Sequence, residues 1–212
     1  MTQKVETPIE ISDARKSRNR RAEIIGALYR CMATRGYAAS TLSDIAEEAG
    51  MSSSHLLYYF SGKEAIMEAF FKGLCDRVEA ELAELPKDNP GAKIEAIAEM
   101  FLCAKRNRKV EQAVTLDLYG QAVQNKAMRR VKIAHDKRIK GVLMELFEQT
   151  PRTQGTTSED AANSAYAMLM GLRATSYYDP QLTPEYVQRL FRLTLYRLAA
   201  IKPSRTRKSR SA

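Results

Sequence analysis

Apolar residues recur at helical spacing through most of this chain, and this spacing constrains the fold more than any other feature. Residues 42–49 show it clearly, with Leu42, Ile45, Ala46 and Ala49 at positions i, i+3, i+4 and i+7. Such spacing places apolar side chains on one face of an α-helix, whereas a half-buried strand alternates apolar and polar residues. We find no convincing alternating segment, so the sequence predicts an all-α protein.

Glycine and proline residues divide the periodic stretches into separate helices. Gly36, Gly50 and Gly62 each fall where a helical pattern ends, and Pro86 to Gly91 is the strongest loop signal in the chain. The predicted helices span 17–35, 42–49, 53–59, 63–85, 92–106, 109–124, 126–149, 158–178 and 183–201.

The composition is that of a globular protein, since 44% of the 212 residues are hydrophobic and 28% are charged. The formal net charge of +9 favours a polyanionic partner such as nucleic acid. No segment approaches the roughly 18 uninterrupted apolar residues of a membrane-spanning helix, and residues 1–17 lack the apolar run of a signal peptide. We therefore expect a cytoplasmic protein with no membrane partner.

The cysteines and histidines do not form a metal, disulfide or catalytic pattern. Cys31, Cys75 and Cys103 are widely spaced in apolar helical stretches, so we expect buried free thiols. The only two histidines, His55 and His135, lie too far apart in the chain to argue for a cluster. Glycine-rich phosphate loops and nucleophile motifs are absent as well. The sequence thus predicts no cofactor, no metal site and no enzymatic activity.

Residues 41–60 have the pattern of a helix-turn-helix. Ser40 or Thr41 can cap the first helix, with Asp44 in the capping-box position, and Ser52 can cap the second. The second helix has barely two turns and is unstable alone. It therefore needs an anchor on the preceding helices.

Leu56 and Phe60 are the expected anchor, which leaves the other face of residues 53–59 free. That face carries small hydroxyls, an imidazole, a leucine and aromatic hydroxyls: Ser53, Ser54, His55, Leu57, Tyr58 and Tyr59. In a recognition helix the N-terminal residues reach base edges, and flanking groups hold phosphates. The alternatives are an inert, capped helix start and, for His55, a buried hydrogen-bonded histidine.

A series of short motifs follows in order and without gaps through residues 22–71. They are Arg35-Gly36-Tyr37, Ser40-Thr41-Leu42, Asp44-Ile45-Ala46, Ala49-Gly50-Met51-Ser52, the Tyr-Tyr-Phe60 end and Lys63-Glu64. Together they resemble the DNA-binding domain of TetR-family transcriptional regulators. The resemblance implies an N-terminal three-helix DNA-binding domain joined by a long helix to a C-terminal helical domain that binds a ligand and dimerises.

The expected organisation has four parts. Residues 1–14 form a flexible leader, 15–71 the DNA-binding domain, 72–201 the ligand-binding and dimerisation domain, and 202–212 a basic disordered tail.

The resemblance also implies roles for individual residues in DNA binding. Ser40 or Thr41 would contact a phosphate, Tyr59 and Lys63 would hold the backbone, and residues 53–55 would read bases. Lys63 begins a helix, and a helix N-terminus itself attracts phosphate. The complete predicted set is Arg18, Arg21, Ser40, Thr41, Ser52, Ser53, Ser54, His55, Leu57, Tyr58, Tyr59 and Lys63.

The chain departs from the family pattern within the recognition helix. Position 53 often carries a basic residue and position 54 often a glycine, but both are serine here, and the family frequently has tyrosine in place of Leu57. Weaker phosphate binding from this helix is expected, and Leu57 makes an apolar contact with a thymine methyl possible.

Five of the seven residues from Arg15 to Arg21 are basic. Cations at a helix N-terminus oppose the helix dipole, so this placement favours a functional role along phosphates or in a minor groove over a merely solvated helix start. The basic run 126–140 is interpreted as a solvated face, and the tail as solubilising.

The last two predicted helices have apolar residues on more than one side. A helix with two apolar faces needs two partners, which can be its own domain and a second subunit. By resemblance this pair forms a dimeric four-helix bundle, and a dimer would place two recognition helices on a near-palindromic operator. The predicted interface set is Ala162, Ala165, Leu169, Leu172, Val187, Leu190, Phe191, Thr194 and Leu198.

An effector pocket is expected among the middle helices, although for any single residue named for it ordinary core at helical spacing is the better interpretation. The set is Met100, Phe101, Cys103, Thr115, Tyr119, Val123, Met144, Tyr166, Met170, Arg173 and Tyr177. Arg173 stands out because a buried cation needs a partner, which could be an anionic ligand, a carboxylate such as Asp117, or the other subunit. The stretch 109–178 has a faint resemblance to repressors of betaine-synthesis genes, which does not identify the effector.

These observations predict a homodimeric regulator, expected to be a repressor, that an unidentified small molecule releases from operator DNA. Two other functions remain open: a protein that coats DNA without sequence preference, and an all-α transferase or hydrolase that uses residues 92–201.

Overall fold

The computed structural model describes residues 8–102 and 109–203, with side chains from Ser17 onward. Every regular element in these ranges is an α-helix, which confirms the predicted all-α class. The helices are α1 Pro8–Ala39, α2 Leu42–Glu48, α3 Ser53–Tyr59, α4 Lys63–Ala83, α5 Pro90–Leu102, α6 Lys109–Gln124, α7 Lys126–Glu148, α8 Ser158–Tyr178 and α9 Pro184–Ala199.

The helix bounds agree with the sequence pattern except in α1. This helix begins at Pro8 rather than near Ser17, and a further helical turn follows Gly36 up to Ala39. Gly36 itself has φ 77° and ψ 164°, outside the helical region and in a range that favours glycine. Gly36 therefore interrupts the helix as predicted, but the chain resumes helical geometry directly after it. The end predicted for the fifth helix, 103–106, lies outside the described residues, as does most of the predicted tail.

Contacts divide the described chain into two compact units. The first unit contains the chain up to Leu74 together with Ala113–Arg129, so α4, α6 and α7 contribute to both units. Its interior is formed by fully buried side chains of α1–α4: Ile24, Ala27, Leu28, Ile45, Leu56 and Ile66. Burial of Leu56 and Phe60 confirms their predicted role as the anchor of α3.

Caps define the ends of the short helices in the first unit. Thr41 and Asp44 form a reciprocal capping box at the start of α2, and the Ser52 side chain accepts a hydrogen bond from the backbone N–H of His55 at the start of α3. Gly50 provides the positive φ of 65° in the turn between them. Both predicted caps are confirmed, and between Ser40 and Thr41 it is Thr41 that caps α2.

The second unit contains Cys75–Gln112 and the described chain from Arg130 onward. Its core is one cluster of buried apolar side chains from α4, α5, α7, α8 and α9, with Ile94, Leu102, Phe147, Val187 and Phe191 at its centre. Thr183 caps α9 and is followed by Pro184, as the sequence predicts.

Two further expectations concern cysteines and membrane helices. Cys31 and Cys75 are buried free thiols, as predicted, and Cys103 lies outside the described residues. Burial raises the pKa of Cys75 to about 11. Among the helices described here, none is long and apolar enough to cross a membrane.

Replacing Leu56 by alanine should destabilise the first unit much more than replacing its neighbour Leu57. Leu56 is 0% exposed and Leu57 is 48% exposed, so only the first change leaves a cavity. We expect Leu56→Ala to lower the free energy of unfolding by about 2–5 kcal/mol and Leu57→Ala to change it by roughly 0.5 kcal/mol or less. Urea unfolding followed by circular dichroism measures both values, and equal losses would contradict the assignment of Leu56 as the anchor.

His135 should make stability depend on pH. Within the described residues its buried Nδ1 has no hydrogen-bond partner. Burial, with smaller contributions from Lys132 and Arg173, lowers the pKa of His135 below its usual value of 6.5, while Asp136 and Glu79 oppose this shift. The unfolded chain therefore binds a proton at this side chain more readily than the folded chain, and stability is lost as the pH falls through about 6.5 towards the folded pKa.

The expected result is that His135→Gln loses less thermal stability than the native protein between about pH 7.5 and 5.5. His55→Gln is the matched control, since it removes the other histidine of the chain, which is exposed. An identical pH dependence in the native protein and in His135→Gln would contradict the prediction.

Candidate nucleic-acid interface

Helix α3 exposes one face in the first unit. Successive residues of an α-helix are separated by roughly 100°, so Ser54 and Tyr58 point away from the buried Leu56. His55 and Leu57 flank this pair on either side. All four side chains are exposed, Tyr58 by 82% and Leu57 by 48%. The outward face therefore consists of a hydroxyl, an imidazole, a phenol and an isobutyl group.

The two serines at the start of this helix have different structural roles. Ser52 is exposed, and its Oγ accepts from the N–H of His55 at 3.2 Å, which leaves its hydroxyl proton available. Ser53 is half-buried, and its Oγ lies 3.4 Å from the Oγ of Ser43 on α2. This contact connects the two helices across the turn.

Three aromatic rings form a continuous set along α3. The ring centroids of His55 and Tyr59 are 5.4 Å apart, and Tyr58 meets Tyr59 edge to face at 5.1 Å. Edge-to-face and tilted pairs are favourable geometries for aromatic rings. Tyr59 thus restricts the positions of the two more exposed rings on either side of it.

Arg21 lies against the end of α3. Its guanidinium donates to the carbonyl of Tyr59 and sits 4.0 Å from the centroid of the Phe60 ring. A cation near the last carbonyls of a helix is favourable because that end carries partial negative charge. The structure therefore places Arg21 in a positioning role, whereas the exposed side chain of Arg18 is free to face solvent.

The hydroxyls of Ser40 and Thr41 both donate hydrogen bonds to groups of the first unit. Ser40 is only 1% exposed and donates to the carbonyl of Gly36 at 2.8 Å, so it offers almost no surface to a phosphate. Thr41 is exposed, and its hydroxyl donates to Asp44 Oδ2 at 2.7 Å. Of the two alternatives in the sequence, Thr41 is the accessible one.

Lys63 is half-buried, and its ammonium group contacts the end of α1 and the residue that follows it. Nζ donates to the carbonyls of Tyr37 at 3.0 Å and Ser40 at 2.8 Å, and lies 4.2 Å from the centroid of the Tyr37 ring. An ammonium group has three donors, so these two bonds leave one N–H for another acceptor. The helix start at Lys63 thereby holds the start of the helix-turn-helix in place.

Asp117 on α6 makes a structural contact in the first unit that was not predicted from the sequence. Its Oδ2 accepts from the backbone N–H of Tyr37 at 3.0 Å, directly after Gly36. The two residues are eighty positions apart, so no local pattern indicates the pair. Asp117 belongs to the first unit, where this bond holds the backbone directly after Gly36.

Tyr37 is buried beneath these contacts. Burial, together with the negative charges of Glu64 and Glu68, raises the pKa of Tyr37 to about 12, so its hydroxyl is neutral at physiological pH.

The arginines around α2 are paired with acids of the same unit. Arg30 bonds Glu48 at 2.5 Å, and Arg35 bonds Asp44 at 3.0 Å. The backbone and side-chain hydrogen bonds from Thr41, and then Arg35, lower the pKa of Asp44. These pairs reduce the positive charge near the helix-turn-helix, and α3 itself contains no lysine or arginine.

The predicted pocket residues divide between the two units. Thr115, Tyr119 and Val123 belong to the first unit, and Val123 is exposed. In the second unit Phe101 and Tyr166 are buried in the core cluster, with Met100 and Met170 packed against it. Arg173 and Tyr177 are half-buried there, Met144 is exposed, and Cys103 lies outside the described residues. Four of the predicted residues therefore belong to the core cluster of the second unit or pack against it.

A set of polar side chains lies beside this part of the second unit. Lys132 Nζ bonds both carboxylate oxygens of Asp136, at 2.8 and 2.7 Å, and donates to the hydroxyl of Tyr166 at 3.3 Å. Lys140 Nζ lies 5.1 Å from the centroid of the same ring. The charges of Lys132, Asp136 and Arg173 also act on His135. We refer to Lys132, His135, Asp136, Tyr166 and Arg173 as the polar cluster.

Most residues predicted for the dimer interface are core residues of a single chain. Ala162, Ala165, Leu169, Leu172, Val187 and Phe191 are buried in the second unit. Ala165, Leu169, Val187 and Phe191 are 0% exposed, so they offer no surface to a second subunit. Leu190, Thr194 and Leu198 are half-buried and occupy every fourth position of α9, so they retain accessible surface.

Comparison with known proteins agrees with this architecture. The model of bacterial regulatory proteins of the tetR family matches residues 24–70, and the model of the C-terminal domain of BetI-type transcriptional repressors matches residues 90–200. A solved structure of a TetR transcription regulator from Haloarcula marismortui has a TM-score of 0.74 with 20% sequence identity, covering 86% of this chain and 97% of that one.

Two similar proteins are the regulators BetI 2 from Chromohalobacter salexigens and BetI from Brucella anthropi. The first is 28% identical over 78% of this chain and 79% of its own length. The second is 30% identical over 72% of this chain and 79% of its own length. The chain therefore belongs to the TetR family of bacterial regulatory proteins, and it is a helix-turn-helix transcriptional regulator with a C-terminal domain of the BetI type.

Proposed function

We propose that this regulator is a cytoplasmic homodimer that binds a near-palindromic operator as a repressor and is released by a small molecule. The observation that carries the proposal is the exposed face of α3, where Ser54, His55, Leu57 and Tyr58 project from a helix held firmly by Leu56. An α-helix fits the major groove of DNA, where hydroxyl, imidazole and apolar groups can read base edges. Since its relatives are transcriptional regulators, we infer a regulatory rather than an enzymatic role.

Phosphate binding is assigned to the groups around this face. Arg18 supplies an exposed cation, Thr41 and Tyr59 supply hydroxyls, and Lys63 retains one N–H after its two carbonyl contacts. Phosphate contacts set the register of the protein on DNA and make binding depend strongly on salt. Arg21 acts indirectly, because its contact with Tyr59 positions the end of α3.

A second subunit would use the exposed side of α8 and the half-buried stripe of α9. On α8 the exposed residues Ser164, Ala167 and Gly171 are small, which allows another helix to approach closely. On α9 the stripe is Leu190, Thr194 and Leu198. On α8, the proposed interface therefore consists of exposed residues and not of the buried Ala162, Ala165, Leu169 and Leu172 that were expected from the sequence. Two-fold symmetry would then present two recognition helices to the two half-sites of an operator.

The effector is proposed to bind in the second unit, beside the polar cluster and the residues Met100, Phe101 and Met170. This region combines apolar side chains with convergent polar groups, the composition that small-molecule sites share. Effector binding would favour a dimer whose recognition helices no longer fit successive major grooves. Identification of the effector requires a binding screen with the purified dimer.

Footprinting on DNA from the region upstream of its own gene tests the function directly. Protection of one near-palindromic site supports the proposal, whereas uniform coverage indicates a protein that coats DNA without sequence preference. An absence of binding even at low salt would overturn the proposal.

Arg18→Ala and His55→Ala should have different effects on DNA binding. Arg18→Ala removes one phosphate contact per subunit, so we expect the salt dependence of the dimer, the slope of log K against log salt, to fall by about two with the preferred sequence unchanged. His55→Ala removes a base contact and should change the sequence selected from random DNA. Lys137→Ala removes an exposed cation of the second unit and serves as the control for net charge. The same selected sequence and the same salt slope in both variants would contradict these roles.

Gly171→Glu should convert the dimer into a monomer and abolish operator binding. A Cβ at Gly171 meets nothing within 4 Å, so the single chain accepts a side chain there, but a closely packed partner helix would not. The matched control is Gly141→Glu on α7, where a Cβ also meets nothing within 4 Å. Light scattering after size-exclusion chromatography measures the oligomeric state, and a stable Gly171→Glu dimer would exclude this face of α8 from the interface.

A further inference from the structure

Leu57 is exposed at one side of the proposed DNA-binding face. It is 48% exposed, it does not belong to the buried core, and it directly follows the fully buried Leu56. Exposed leucines do occur on protein surfaces, but this one belongs to a seven-residue helix whose other outward groups are all polar or aromatic. The question is therefore which apolar group Leu57 would meet on DNA.

Helix α3 has few ways of reading bases. Its sequence Ser-Ser-His-Leu-Leu-Tyr-Tyr contains no arginine, lysine, asparagine or glutamine. The bidentate contacts by which proteins most often recognise guanine or adenine are thus unavailable from this helix. Its specificity must come from single hydrogen bonds and from apolar contact.

The geometry of the helix directs Leu57 towards its N-terminal end. Side chains of an α-helix tilt towards the N-terminus, so the isobutyl group of Leu57 lies over the turn that contains Ser53 and Ser54. In a helix-turn-helix this end of the recognition helix contacts the base edges. His55 projects on the opposite side of the outward face from Leu57.

The major groove presents one kind of apolar group at the base edges, the C5 methyl of thymine. We propose that Leu57 determines part of the operator sequence by packing against a thymine methyl in each half-site. This inference rests on the proposed function, since it requires α3 to read DNA. It adds the identity of a base and the group on that base that the protein recognises.

The test replaces thymine by deoxyuridine, which removes the methyl and keeps the hydrogen-bonding edge. After the operator has been identified by selection from random DNA, each half-site thymine is replaced in turn and the affinity of the native dimer is measured. Loss of one buried methyl should weaken binding about fourfold, and loss of both symmetry-related methyls about fifteenfold. The loss should occur at one symmetric pair of positions.

The variant Leu57→Ala completes a cycle that combines one change in the protein with one change in the DNA. This variant should bind the thymine operator less tightly than the native protein and should not distinguish thymine from deoxyuridine at the sensitive position, because the two changes remove the same contact. Leu57→Met keeps an apolar side chain and should retain the discrimination. Ile133→Ala, which truncates another exposed aliphatic residue (60% exposed, on α7), should behave as the native protein does.

The outcomes separate the two proposals. Specific operator binding without any sensitivity to deoxyuridine, or undiminished sensitivity in Leu57→Ala, would overturn the role of Leu57 and leave the proposed function intact. An absence of sequence-specific binding in the native protein would overturn both. Because the deoxyuridine series uses the unmodified protein, the result does not depend on how well any variant folds.

Discussion

Burial of Leu56 is the contact on which the DNA-binding unit depends. A helix of seven residues cannot persist by itself, because too few hydrogen bonds offset the cost of ordering its backbone. Leu56 and Phe60 attach α3 to α1 and α2, and with that attachment the positions of the remaining side chains follow from helical geometry alone. The exposed face is thus a consequence of the anchor.

Two cations near the helix-turn-helix form hydrogen bonds with the protein's own backbone. Arg21 binds the end of α3, and Lys63 binds the carbonyls that follow Gly36. Asp117 provides the complementary acceptor for the N–H of Tyr37. These contacts fix both ends of the helix-turn-helix, which a recognition element requires if it is to select among DNA sequences. Arg18, outside α3, keeps an exposed cation.

In the second unit, the spacing of apolar residues along a helix did not determine which of them the fold buries. Periodicity identified the apolar positions of α8 and α9 correctly, yet it could not tell which apolar face would be covered by the same chain. Ala165 and Leu169 lie in the core, while Gly171 and Leu190 retain accessible surface. The polar cluster has a similar origin, since residues from α7 and α8 meet only after folding.

The sequence by itself determined the all-α class, the helix-turn-helix with a cap at Ser52 and another at Ser40 or Thr41, and the anchor residues of α3, because these depend on local spacing and on hydrogen bonds between near neighbours. Tertiary structure decided which polar groups stay available: it buried Ser40, engaged Arg21 and Lys63, and joined Asp117 to Tyr37. These outcomes depend on side chains that meet across many intervening residues, and no pattern within one helix specifies such a meeting.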